Sequence, residues 1–298
     1  MIENLLLIFL IGLMQGGENI CGSDAIRRGG HPLDYGFYSN LTATVILGVC
    51  FVIKNFFLGF STLSQAVVHT DFVRNLLIMI LGGVVSCIAV VANLSAMKLG
   101  HVGITNGIYQ SSFALNFLLM VVFFKSTASA VNYIAVAVML VGVFLMAMQR
   151  DKDGKFNWKW CAVCAVAFLF NALGQFVTTI PSQYNYADAM DIRGLSILAA
   201  MTVCYGISKK TMHINRNPAV KMPAFWGGLV FAGVQLATYP VLDRLALFNS
   251  VHLFTPIMLM TVTILFSLYS RFFLKERFSA LQYAGLACCL IGILLFVI

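Results

Sequence analysis

Apolar stretches of membrane length recur along this chain, separated by short polar gaps. A bilayer-spanning helix needs about 20 mostly apolar residues. Ten runs qualify: 2–25, 35–53, 75–97, 102–124, 130–148, 158–180, 190–208, 224–242, 249–270 and 279–298. Each run is continuously apolar rather than alternating over about ten residues, so helices fit and a barrel does not. The longest gaps, about 55–74 and 209–223, are too short for a further domain. The expected fold class is an all-α integral membrane protein with ten transmembrane helices.

The pattern also repeats. Shifted by 150 residues, "FFKSTASAVNYIAVAVMLVGVFL" (123–145) falls on "FLKERFSALQYAGLACCLIGILL" (273–295). Phe123, Lys125, Ser129, Ala130, Tyr133, Ala137, Leu140, Gly142 and Leu145 meet identical residues, and the same offset pairs Gly83 with Gly233 and Thr105 with Thr255. Apolar helices match by chance at some positions. They do not readily keep a lysine, a Ser-Ala pair and a tyrosine in one ungapped register. This predicts two five-helix repeats, 1–149 and 150–298, with no soluble domain. Five is odd, so the second repeat enters the membrane inverted.

Charge supports that topology. Fourteen of the 19 lysines and arginines fall on the side of the first connection, from Arg27 and Arg28 to Lys275 and Arg277. Only Lys54, Arg74, Lys125, Arg193 and Arg244 fall on the side of the two termini. The positive-inside rule makes the first side cytoplasmic, with both termini outside, in a plasma or inner membrane. The net charge of +8 is therefore a topology signal rather than a nucleic-acid footprint.

Composition narrows the class further. The chain is 60% hydrophobic and 10% charged, with mean hydropathy +0.90. A soluble domain carries about 25% charged residues, so a large water-soluble core is excluded. The eight cysteines lie in or beside apolar runs and read as packing residues; Cys161 and Cys164 form a CxxC without a second pair at zinc spacing. The N-terminus has Glu3 where a signal peptide needs a basic region, so the first run is expected to stay. No HExxH, no GxSxG and no close His/Asp pair in one helix is present, and an enzyme is not expected. No cofactor is implied, and the histidines show no metal-ligand spacing.

Ten helices, an inverted 5+5 repeat and "FLKERFSALQYAGLACCLIGILLF" closing the second half resemble the EamA-type transporters of the drug/metabolite transporter superfamily. Lys275, Glu276, Arg277, Gln282, Gly285 and Gly292 match the end of that family's repeat. "ANLSAMKLGHVGITNGIYQSSFALN" (92–116) resembles its third-helix end and fourth helix. The first repeat departs from the pattern after Lys125, where the acid and arginine are missing, and Asn40 stands where many relatives carry arginine. The resemblance implies a secondary transporter of small metabolites, amino acids or related compounds, more often an exporter.

Candidate chemistry lies in the polar residues inside the runs. Glu18 sits near the end of the first, in "LIGLMQGGENICG". A charged acid at mid-helix costs about 2.5–3.5 kcal/mol on insertion scales and by default marks a functional site facing the bundle interior. A carboxyl withdrawn from water favours its protonated form, and a group that loads and releases a proton is what a proton-coupled carrier requires. Glu18 is the expected proton-coupling and substrate-binding residue. A glutamate in the first helix of the small multidrug transporters is an analogy by helix only. A wet vestibule or a local hydrogen bond to Asn19 is the structural alternative.

In the fourth run Asn106, Tyr109, Gln110, Phe113 and Asn116 share i, i+3, i+4 spacing and so one helix face. At about 1.5 Å per residue, Asn106, Tyr109 and Asn93 of the third run reach the depth of Glu18. Gln235 and Tyr239 of the eighth run lie nearer the middle. Glu18, Asn93, Asn106, Tyr109, Gln110, Gln235 and Tyr239 are the expected substrate-binding residues, although such a stripe also serves as interhelical glue. The expected partners are the bilayer, a small-molecule substrate and protons, with a homodimer left open and no nucleic acid. A non-transporting partner or scaffold subunit, or an importer or exchanger of the same fold, is the alternative function.

Overall fold

The computed structural model describes residues 2–58, 70–124, 129–148, 157–183, 190–215, 217–247 and 254–295. Lys125, Arg150, Lys152, Lys155 and Arg216 lie outside the described residues, as does the side chain of Tyr239.

The described residues fold into α-helices joined by short connections, with one 3-10 turn at Pro218–Val220. The helices are α1 (Ile2–Arg27), α2 (Pro32–Leu58), α3 (Thr70–Leu99), α4 (Val102–Gln110), α5 (Phe113–Phe124) and α6 (Ala130–Ala147). They continue with α7 (Trp158–Gln183), α8 (Met190–Thr211), α9 (Lys221–Leu247), α10 (Phe254–Phe272) and α11 (Ala280–Leu295). Among the described residues, eight helices are long and apolar enough to cross a membrane, with α4 and α5 counted together as one span. Their outer faces carry large exposed apolar side chains such as Phe57 (80% exposed), Phe56 and Val122. A surface of this kind belongs against lipid, and the chain is an all-α, multi-pass membrane protein. The two remaining helices differ from the eight: α11 is apolar but only 16 residues long, and α8 carries Arg193 near one end and Lys209 and Lys210 at the other.

The run 102–124, expected as one helix, is broken at Ser111–Ser112. The Ser111 hydroxyl donates to the Gly107 carbonyl at 2.8 Å, and the next backbone bonds tighten to i→i+3 type, from Ser112 N–H to Tyr109 O and from Ala114 N–H to Ser111 O. Serine hydroxyls bonding back to the preceding turn bend helices. The break has a partner. Asn171 Nδ2 of α7 donates to the Tyr109 carbonyl at 3.1 Å and to Ser112 Oγ at 2.7 Å. The polar stripe expected to run from Asn106 to Asn116 is therefore divided, with Phe113 and Asn116 on a separate helix.

Packing is built on close pairs. α3 lies against α7 and α8, α9 against α1 and α2, α1 against α10, and α6 against α11. In the α6–α11 pair glycines remove the spacing: a Cβ on Gly142 or on Gly285 would stand 2.6 Å from the other residue's carbonyl oxygen. Small residues allow such approaches between membrane helices. Both helices start with the same device. Ser129 Oγ accepts from Asn132 N–H while Asn132 Oδ1 accepts from Ser129 N–H, and Ser279 and Gln282 repeat the exchange. These are capping boxes that satisfy orphan amides at each helix start.

Candidate functional site

Helix α1 meets α9 in antiparallel fashion, with Met14 against Gly233 and Cys21 against Gly227. Between those contacts lies Gly17, where an added Cβ would meet no atom within 4 Å. Glu18 follows it and is only half-buried although it lies inside the bundle. The chain thus leaves room at Gly17, next to a half-buried carboxyl.

The Glu18 carboxylate has two neutral donors. Gln15 Nε2, one turn earlier, donates to Oε2 at 3.1 Å, and the Tyr35 hydroxyl donates to Oε1 at 3.3 Å. Tyr35 comes from the first turn of α2 and is 1% exposed. Its ring lies over Gly22, and its hydroxyl occupies the place a side chain at Gly227 would take. No lysine, arginine or histidine among the described residues pairs with Glu18.

The other expected residues are distributed around it. Tyr109 of α4 is half-buried and within electrostatic reach of Glu18. Asn106, one turn earlier on the same face, is 0% exposed, and neither its amide nitrogen nor its amide oxygen has a partner inside the protein. Asn93 of α3 is also buried, with Oδ1 unpartnered; its neighbour Leu94 packs against Gly22 of α1. Asn19 adds an unpartnered Nδ2 next to Glu18. A buried polar group left unmade costs about 1–3 kcal/mol, so a cluster of them is the usual mark of a place where a guest supplies the missing bonds. Gln110 is buried at the break between α4 and α5. Gln235 is half-buried on α9, beyond the Met14–Gly233 contact and so nearer the N-terminal end of α1. Tyr109 is thus brought near Glu18, and Gln235 lies at another level.

Sequence reasoning missed Tyr35 and Gln15, the two residues that touch the carboxylate. Tyr35 follows Asp34 at a helix start and reads as an interfacial aromatic. The usable signal was the short connection 28–31, which forces the start of α2 back along the end of α1. Asn171 and Gln175 of α7 serve the helix break, with Gln175 Nε2 3.4 Å from Ser112 Oγ.

At the helix ends near this hairpin, Asp34 is fully buried and accepts from Lys209 Nζ and, at 3.0 Å, from the backbone N–H of Asn217. It ties α2 to the end of α8 and to the turn before α9.

No family model matches the chain, and no curated protein matches it in sequence. Among solved structures it is similar to a chain described only as a crystal structure of a protein. The TM-score is 0.65, at 12% sequence identity, over 98% of this chain and 95% of that one. At this identity the likeness is one of fold.

Proposed function

We propose that this protein is a secondary transporter of a small polar metabolite, of the EamA type within the drug/metabolite transporter superfamily, working by alternating access. In this reading α8 and α11 also cross the bilayer, giving ten spans in two inverted repeats, 1–149 and 150–298, with both termini on the non-cytoplasmic side.

The packing supports the repeat. Pair each helix with the one 150 residues on: α1 with α7, α2 with α8, α3 with α9, α4–α5 with α10, and α6 with α11. Exchanging partners turns α3–α7 into α9–α1, α3–α8 into α9–α2, and α1–α10 into α7–α5, all of them packed pairs. The α2–α8 and α6–α11 contacts map onto themselves. The capping boxes at Ser129/Asn132 and Ser279/Gln282 are also 150 residues apart. Two like halves of opposite orientation have two packings of similar energy, and exchanging them moves a central site from one face to the other.

The observation that carries the functional reading is the Glu18 carboxyl, inside a membrane-length helix with only the neutral donors Gln15 and Tyr35, together with the unpartnered buried amides of Asn93 and Asn106 on the neighbouring α3 and α4. Such a carboxyl holds either a proton or a cationic group, and an amino-acid-like substrate supplies an ammonium that can donate to Glu18 and to Asn93 Oδ1, and a carboxylate that can accept from Asn106 Nδ2. Proton and substrate then compete for one carboxylate, which couples the gradient to export.

The test is untargeted metabolite profiling of cells and medium for wild type, Glu18→Gln and empty vector at matched membrane levels. The expected result is one metabolite class moved outward by wild type alone. Equal movement by Glu18→Gln removes the role of Glu18; no movement by wild type, repeated with purified protein in amino-acid-loaded vesicles, removes the transporter reading.

A further inference from the structure

A second polar feature lies away from Glu18, where α8 ends. A cleft of about 340 Å³ opens there between α2 and α8. Phe37, Gly206 and Ile214 form its apolar floor, and Lys209, Lys210 and His213 line its polar side. Gly206 keeps it open, since a Cβ there would stand 3.2 Å from the Phe37 ring.

The electrostatics are specific. Lys209 is already paired with the buried Asp34, and its ammonium rests 4.5 Å from the centre of the Tyr38 ring. That pair is neutral and fixes the wall. Lys210 is exposed and is the surplus cation of the cleft. Helix C-termini ordinarily repel anions because their last carbonyls are free. Here two of those carbonyls are occupied: Ile214 N–H donates to Lys209 O and His213 N–H to Lys210 O, a Schellman closure. The left-handed residue of that closure is usually glycine, yet here it is His213, with φ of 51°. A histidine held in a conformation that favours glycine is a strained choice, and strain of this kind collects at binding sites. Its imidazole lines the cleft beside Lys210, with the Asn215 amide on the same rim.

We propose that the α2–α8 cleft is a binding site for a phosphate-bearing anion, with Lys210, His213 and Asn215 holding the phosphate and Phe37 and Ile214 receiving the adjoining apolar part. The position at the end of α8 favours an anionic phospholipid headgroup, since basic pockets between helices at the membrane surface recognise such lipids. A free phosphate carries the same chemistry. The lipid assignment rests on the reading that α8 crosses the bilayer, not on the role of Glu18.

The test uses the purified full chain. Native mass spectrometry in an equimolar mixture of phosphatidylglycerol and phosphatidylcholine reads lipid preference. Thermal unfolding with inorganic phosphate reads the soluble anion. Wild type is expected to retain phosphatidylglycerol selectively, and Lys210→Gln to lower that preference about fivefold, the effect of one basic residue near an anionic surface. His213→Gly is expected to lower the preference while raising the unfolding temperature, because it relieves the backbone; a purely structural histidine would lower neither or both. Stabilisation by inorganic phosphate as well as lipid assigns the site to phosphate in general, and stabilisation by lipid alone assigns it to the headgroup. The proposal is overturned if wild type shows no preference and no stabilisation, or if both variants keep the wild-type preference.

Discussion

The Tyr35 hydroxyl stands between two oxygens of Glu18, 3.3 Å from Oε1 and 3.2 Å from the backbone carbonyl. One proton is therefore shared between a functional group and a structural one. Tyr35→Phe keeps the ring that packs with Ala25, Leu94 and Phe266 and removes only the donor. Loss of one hydrogen bond of this kind lowers stability by about 1 kcal/mol. The expected outcome is a folded protein with a slightly lower unfolding temperature and, on the transporter reading, altered pH dependence of substrate movement, because Glu18 keeps only Gln15 as donor. Thermal unfolding in detergent and flux measured over a pH series check the two parts separately.

Glu276 joins the two halves of the chain. Its carboxylate accepts from Val102 N–H at 2.8 Å and Gly103 N–H at 3.2 Å, and from the Ser270 hydroxyl. The first two are orphan amides at the start of α4, so a residue between α10 and α11 caps a helix 174 positions earlier. Glu276→Ala is expected to destabilise by about 1–2 kcal/mol, the range for loss of a helix cap. Glu276→Gln, which keeps an acceptor, is expected to lose less. Chemical unfolding of both variants beside wild type gives the order, and equal stability of all three would refute the capping role.

The helical class was legible because each run is apolar around most of its circumference over membrane length, a pattern of membrane spans. Glu18 stood out for the same reason: it is an acid away from both ends of such a run. Three things were not. The break at Ser111–Ser112 was hidden because serines are common in membrane helices and only the bond from Ser111 to Gly107, with Asn171 waiting on α7, turns them into a break. Tyr35 was hidden because its function depends on reach across a hairpin, which spacing within one helix does not encode. Lys209 counts in the sequence only as one of the basic residues of a connection, and its pairing with Asp34 depends on α2 meeting α8 in space.

Gly142 and Gly285 face each other so closely that each would place a Cβ 2.6 Å from the other's carbonyl oxygen. The obstacle is backbone on both sides, so neither helix yields without separating from the other. Gly142→Ala is expected to destabilise by about 1–3 kcal/mol, as overpacking does. Gly285→Ala is expected to behave alike, and the double variant to lose less than the sum, since one separation of the helices accommodates both methyl groups. Unfolding midpoints of the two single variants and the double variant test this. Strict additivity would show that the two sites do not share a contact.

His31 links stability to pH outside the membrane spans. Its Nδ1 accepts the Leu33 N–H at 3.2 Å, which caps the start of α2 and requires a neutral ring at that nitrogen. Burial, helped by the Lys98 ammonium and opposed by Asp34, holds its pKa below the ordinary 6.5. A histidine with a lowered folded value is neutral in both states above about 6.5, and there its stabilising contribution is complete. As the pH falls below that, the unfolded chain takes up the proton first, and stability declines until the pH passes the folded value. The expected result is a fall in unfolding temperature as the pH drops below about 6.5, levelling off once the pH passes the folded value. In His31→Asn an amide oxygen can accept from Leu33 without titrating. The cap is then retained at neutral pH while that part of the slope disappears. An unchanged slope in the variant would place the pH dependence on other groups.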